Sequence, residues 1–319
     1  MGHPGAMAIA ARGLTKVFET GRGKSRRQIE ALRALDLDVA AGERVAYIGP
    51  NGAGKSTSIK ILTGILHPTS GEATVLGLTP WEERRRLARR IGTLFGQRSL
   101  LWLELTPRQS YRMLAAIYGL DRVAEMRRIG ELAELLDAGD LFDQPVRNLS
   151  LGQRMRCELT ACLLHGPEIL FLDEPTIGLD LVAKQRLREL LVRLNEHQGT
   201  TIFLTSHDVA DIEHVARRAI VINHGEVIYD DEVASMRRTL LATKIVEVGL
   251  LAPLPAPASA GVTLLEHTDT VMRLIVDTHT TPIRRVLDEL LDGPAVADIS
   301  VVDPPLEQVI AEIYELPAR

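Results

Sequence analysis

Apolar positions along the first 230 residues come in two rhythms, short solid runs and helical stripes, and their order sets the fold class. Ile9–Phe18 is expected as an edge strand, Ile29–Val39 as a further strand or strand pair, and Glu43–Ile48 as a short strand. Ser56–Leu66 then places Ile59, Leu62, Thr63 and Leu66 on one helical face. A turn at His67–Gly71 leads to a strand at Glu72–Leu76. Trp81–Arg90 reads as a charged helix, with Glu82 and Arg86 spaced as an i,i+4 pair. Ile91–Phe95 is a short strand that ends at Gly96 and Gln97.

From there to about residue 165 the pattern turns helical. Thr106, Pro107 and Gln109 form a capping box with proline at the first helical position, followed by a stripe of Tyr111, Leu114, Ala115 and Tyr118. A second helix spans Val123–Leu136, and Ser150–Gln153 opens a third with the same capping spacing. Glu168–Leu172 and Thr201–Leu204 are solid apolar runs, expected as buried strands. Between them lies an amphipathic helix, Leu181–His197, with Leu187, Leu190, Leu191 and Leu194 as its stripe. A helix at 209–217 and strands at 219–223 and 226–229, joined by His224 and Gly225, complete the unit. Strands alternating with helices predict an α/β domain with a largely parallel sheet, residues 8–239, and a helical insertion at about 98–165.

A different pattern begins near residue 240. Strands are expected at Lys244–Leu250, Val262–Glu266, Val271–Val276 and Ala295–Val302, with a Pro/Ala-rich loop at Ala252–Gly261. Helices are expected at 282–292 and 305–316. Residues 240–319 therefore read as a small α+β domain, and they carry no catalytic constellation.

Composition narrows the class. A net charge of −5 over 319 residues argues against a dedicated nucleic-acid binder. No apolar run reaches the length of about 20 residues that a membrane span needs, and the N-terminus has no signal-peptide pattern. Cys157 and Cys162 read as buried thiols of a cytosolic protein. The basic stretch Gly21–Arg27 reads as a solvated hairpin tip rather than a contact for anionic lipid or nucleotide.

The chemistry starts at Gly49, Pro50, Asn51, Gly52, Ala53, Gly54, Lys55, Ser56 and Thr57, which fit the phosphate-binding pattern G-x-x-x-x-G-K-[ST] between a strand and a helix. Backbone N–H groups at a helix N-terminus favour an anion, and glycines let the chain approach a phosphate. Lys55 is expected to reach the terminal phosphates and the Ser56 hydroxyl to ligate Mg²⁺. Asp173 and Glu174 end an apolar strand, as a metal ligand and a general base would. His207 follows another strand, where a parallel sheet gathers ligand-binding groups, and is expected to contact a γ-phosphate.

With these residues the chain resembles the ATPase subunits of ABC transporters over about residues 8–235. Asn148–Gln153 resembles the family's signature motif, Gln97 its Q-loop, Gly178–Asp180 its D-loop and His207 its switch histidine. The resemblance implies a P-loop cassette with a RecA-like core, a helical insertion and antiparallel N-terminal strands. It implies ATP and Mg²⁺ as ligands, with Ser56, Gln97 and Asp173 around the metal and Phe18 against adenine. It also implies a head-to-tail dimer, here a homodimer, in which Ser150, Leu151, Gly152 and Gln153 of one subunit cap the ATP of the other. Asp180 would communicate between the two sites, and Gln97 would couple metal occupancy to a membrane partner.

Two positions depart from the family pattern. Leu151 replaces the usual first glycine of the signature. A leucine at positive φ would cost roughly 1–2 kcal/mol, so ordinary φ is expected there, with Gly152 as the more demanding position. Ile177 stands where a serine often precedes the D-loop. The Leu94–Leu105 segment and the C-terminal domain are similar to ATPases of bacterial ABC-2-type drug and viologen exporters. That implies a separate permease and a location at the cytoplasmic face of the cell membrane; the apolar Arg98–Leu105 segment with Trp102 is expected either to face that permease or to pack in the core of the helical insertion. The competing expectations are a soluble ABC ATPase in translation or DNA maintenance, and a non-hydrolysing ATP-binding regulator.

Overall fold

A computed structural model of the chain describes residues 6–20, 27–95, 99–240, 243–252, 254–257, 259–291 and 295–302. Gln97, Arg98, residues 21–26 and the helix expected at 305–316 lie outside these described residues. The chain divides into two compact units at Val233/Ala234.

In the first unit a six-stranded sheet runs in the order β5 (Ile91–Phe95), β6 (Ile169–Asp173), β7 (Thr201–Thr205), β3 (Arg44–Ile48), β8 (Arg218–Asn223), β9 (Glu226–Glu232). The first five strands are parallel and β9 returns antiparallel. Both faces of this sheet are covered, which explains the solid apolar runs. Leu170, Leu172, Ile202 and Leu204 face a core shared with the helical insertion, while Phe171, Phe203, Val45 and Tyr47 face a core shared with the antiparallel strands.

Those strands form a second sheet in the order β2 (Arg27–Ala40), β1 (Met7–Thr20), β4 (Ser70–Val75). The strand expected at the edge is thus the central one. β1 pairs with β2 along one side and β4 along the other, and Ala8, Ile9, Ala11 and Leu14 are buried. The charged helix expected at 81–90 shrinks to α2, Arg84–Leu87. Glu83 accepts the Thr79 N–H at 3.2 Å and pairs with Arg86, so the expected Glu82–Arg86 pair does not form.

The insertion holds α3 (Pro107–Tyr118), α4 (Arg122–Leu135) and α5 (Leu151–Leu163). Both expected capping boxes are present, at Thr106/Gln109 and Ser150/Gln153. Tyr111 is buried edge-on against Phe142, and its hydroxyl donates to the Cys157 carbonyl at 3.0 Å. Cys157 and Cys162 are buried free thiols. No described helix is long and apolar enough to cross a membrane.

The second unit has a four-stranded antiparallel sheet in the order β11 (Val262–His267), β12 (Val271–Asp277), β10 (Thr243–Leu250), β13 (Val296–Val302). Val246, Val248, Met272, Leu274 and Val276 alternate onto one face and pack with Val286 and Leu290 of α8 (Ile283–Leu291). This is the α+β arrangement that the periodicity predicts.

Candidate active site

The loop between β3 and α1 (Lys55–Leu62) is held from two sides before any ligand is considered. The Gly225 N–H, in the β8–β9 turn, donates to the Ala53 carbonyl at 2.9 Å, and the Arg33 N–H of β2 donates to the Gly225 carbonyl at 3.0 Å. Gly54 sits at φ 110° as the N-cap of α1, and a Cβ there would lie 2.6 Å from the Ala31 carbonyl oxygen. Gly49 has ordinary φ but is packed against β8, where a Cβ would meet the Ile222 carbonyl oxygen at 2.3 Å. Its glycine is required by strand packing, a reason the motif alone does not reveal. Among the described residues no side chain caps α1, so its first-turn N–H groups remain available to an anion.

Lys55 is largely buried, and its Nζ donates to the carbonyls of Gly49 and Pro50. Burial lowers its pKa, while the charges of Glu174 and Asp173 work in the opposite direction. Ser56 is exposed at the start of the helix. Phe18, half-buried, pairs with Ile29 at the end of the β1–β2 ribbon, the same ribbon that meets Gly54 through Ala31 and Leu32.

Asp173 ends β6, in register with Thr205 at the end of β7. The Thr205 hydroxyl donates to Asp173 Oδ1 at 2.6 Å. The backbone N–H of Glu174 reaches the Thr205 carbonyl at 3.1 Å and its hydroxyl at 3.2 Å. Sequence reasoning passed over Thr205; its signal was a hydroxyl at the end of a buried strand, directly before Ser206 and His207. Glu174 occupies the left-handed region at φ 54°, which is rare outside glycine and frequent at functional sites.

Glu174 Oε2 accepts the His207 backbone N–H at 3.2 Å. Its Oε1 is buried and accepts no hydrogen bond among the described residues, although His207 Nε2 stands 3.4 Å away. Burial raises the Glu174 pKa, and the His207 charge and backbone N–H pull it partly back. The structure therefore brings Lys55, Asp173, Glu174 and His207 into one electrostatic neighbourhood.

Ser150, Leu151, Gly152 and Gln153 stand apart, at the start of α5 beside α6 (Leu181–Gln198). Leu151 has ordinary φ, as its departure from glycine requires, and its side chain covers Gly178. Gly152 also has ordinary φ, and a Cβ there would make only a 3.4 Å contact with Ala183 Cβ. Nothing among the described residues demands glycine at 152. Asp180 caps α6, its Oδ1 accepting the Ala183 N–H at 2.8 Å.

Comparison with known proteins agrees with this geometry. The ABC transporter family pattern matches residues 32–177. The chain is 33% identical over 292 residues to the daunorubicin resistance ATP-binding protein DrrA2 of Streptomyces coeruleorubidus, covering 88% of this chain and 90% of that protein. It is 32% identical over 208 residues to the ABC transporter ATP-binding protein NatA of Bacillus subtilis (strain 168), covering 65% of this chain and 84% of the relative. Among solved structures, an ATP-binding cassette in a dimeric post-hydrolysis state bound to ADP and Pi superposes with a TM-score of 0.63 at 27% identity, covering 70% of this chain and 98% of that one. The chain belongs to the ABC transporter ATP-binding proteins, a family of nucleotide-binding ATPases.

Proposed function

We propose that the protein is the ATP-hydrolysing subunit of an ABC exporter that drives a small compound or drug through a separate ABC-2-type permease at the cytoplasmic face of the membrane. The observation that carries the hydrolytic part is the buried Oε1 of Glu174, unpaired among the described residues, directly after Asp173 and next to His207. Oε2 is occupied by the His207 N–H, so Oε1 is the free acceptor for the proton of an attacking water. His207 Nε2, half-exposed beside it, would meet the γ-phosphate.

Magnesium fits the donor set. The Ser56 hydroxyl and the Asp173 carboxylate are hard oxygen ligands, and Mg²⁺ is normally held by one or two carboxylates completed by phosphate oxygens and water. Gln97 is assigned a place in this set by family resemblance. The metal would neutralise charge on the β- and γ-phosphate oxygens. Lys55 would exchange its loop carbonyls for those oxygens, and Thr205 holds Asp173 in place through its hydroxyl.

The Ser150–Gln153 segment is read as the cap over ATP in a second copy, in a head-to-tail homodimer. The absence of any demand for Gly152 among the described residues supports this, because the glycine is then free to serve a group that approaches from a second copy. Trp102 and Leu103 are 41% and 48% exposed while Leu101 is buried, which supports Arg98–Leu105 as a permease-facing segment. The names of the similar proteins speak of transport and drug resistance, and none of those described here speaks of translation or DNA maintenance. The C-terminal unit is assigned an accessory role in stabilising or regulating the dimer.

Glu174→Gln in the assembled complex should keep ATP binding and lose turnover; retained turnover would remove Glu174 from the mechanism. The transport assignment predicts co-purification with integral membrane proteins carrying a permease, whereas recovery with ribosomes would overturn it.

A further inference from the structure

Asp211, on α7 (Val209–Val215), is 1% exposed, and three side chains converge on its carboxylate. Arg188 Nε of α6 donates to Oδ1 at 2.6 Å. Oδ2 accepts two hydroxyls at once, from Thr176 at 2.5 Å and from Ser206 at 2.7 Å. Thr176 lies two residues after Glu174, and Ser206 directly precedes His207. One oxygen atom thus joins the segment after β6 to the segment after β7.

We propose that Asp211 is a positioning residue that fixes Glu174 and His207 relative to each other by holding Thr176 and Ser206 on a single carboxylate oxygen. The direct link between Glu174 and His207 is weaker, one backbone hydrogen bond of 3.2 Å and a poorly aligned approach of 3.4 Å. The Asp211 charge is balanced by Arg188, which also stands 3.2 Å from Asp208 Oδ1, while Lys184 pairs with Asp208 Oδ2 at 2.6 Å. A buried ion pair is poor evidence of a contribution to stability. Geometry at the two strand ends is what this cluster supplies. Its trace in the sequence was one acidic residue, Asp211, beside the apolar Ile212 and Val215 of a short helix.

The inference rests on the reading of Glu174 and His207 as the hydrolytic pair, and the test separates the two. ATP turnover of the full chain is measured as kcat, KM and a pH profile for Thr176→Val, Thr176→Ser, Ser206→Ala and Glu174→Gln, with melting curves for each. Thr176→Val and Ser206→Ala should lower kcat about 10- to 100-fold with KM for ATP nearly unchanged, the scale expected when catalytic groups are misplaced. The acid limb of the profile should also move, because the surroundings of Glu174 change. Thr176→Ser should restore both. Wild-type kcat in Thr176→Val and Ser206→Ala, or a loss that tracks melting with an unmoved acid limb, while Glu174→Gln is inactive, would overturn the positioning role alone. Normal turnover in Glu174→Gln would overturn the underlying assignment, and the inference with it.

Discussion

Gly49 and Gly52 belong to one phosphate loop but are glycine for different reasons, and alanine at each separates them. At Gly49 the added Cβ would lie 2.3 Å from the Ile222 carbonyl oxygen, 2.9 Å from Ile222 Cγ2 and 3.1 Å from Ala53 Cβ. The first neighbour is backbone in β8, whose pairing with β3 includes Ile48 opposite Val221, so relief requires the loop to move against the sheet. Overpacking of this kind costs about 1–3 kcal/mol, and a rigid carbonyl places Gly49→Ala at the upper end. At Gly52 the Cβ would meet none of the described residues within 4 Å, and only the torsion at φ 84° is strained. That costs roughly 1–2 kcal/mol. Urea unfolding of the nucleotide-free chain should therefore rank Gly49→Ala as clearly less stable than Gly52→Ala. Titration with a fluorescent ATP analogue should show weakened binding for Gly52→Ala in a chain that remains folded, because the exposed loop must still receive phosphates. Equal stability losses, or a Gly49→Ala protein as stable as wild type, would refute the packing argument.

Two further outcomes follow from burial. Glu174 must be ionised to accept a proton, and burial raises its pKa, so kcat should fall with decreasing pH along a limb centred above the ordinary glutamate value of about 4.3. His207→Ala, which removes a favourable charge, should move that limb higher still, and an unchanged limb would count against the contact. In the second unit, Leu290 is 1% exposed against the sheet, so Leu290→Ala should cost about 2–5 kcal/mol, measured as early melting by calorimetry.

Motif and period carried much of this fold and site, but the features that depend on distant parts of the chain stayed hidden. Both capping boxes were legible because their bonds span only three residues. The two-sided burial of β6 and β7 was legible from their solid apolar runs. The central place of β1 was not, since the partners on its two sides are decided by β2 and β4, far apart in sequence. The Trp81–Arg90 stretch had helical charge spacing, yet Glu83 was recruited to the Thr79 N–H and only one short turn of helix formed. At the site, the identity of Asp173, Glu174 and His207 came from strand ends. The Thr205 hydroxyl bridge and the Asp211 clamp did not, because each ties the end of β6 to residues at or beyond the end of β7, across some thirty residues of sequence.

If, as proposed, a phosphate loop from one copy and the Ser150–Gln153 segment of another make one hydrolytic site, subunit mixing will show it. Lys55→Ala disables the loop and Gly152→Asp disables the signature, so each variant alone should be inactive in ATP turnover. Mixed dimers contain one site built from an intact loop and an intact signature, and the mixture should recover turnover that neither variant shows. A mixture in which mixed dimers form but turnover stays at the level of the separate variants would contradict the composite site.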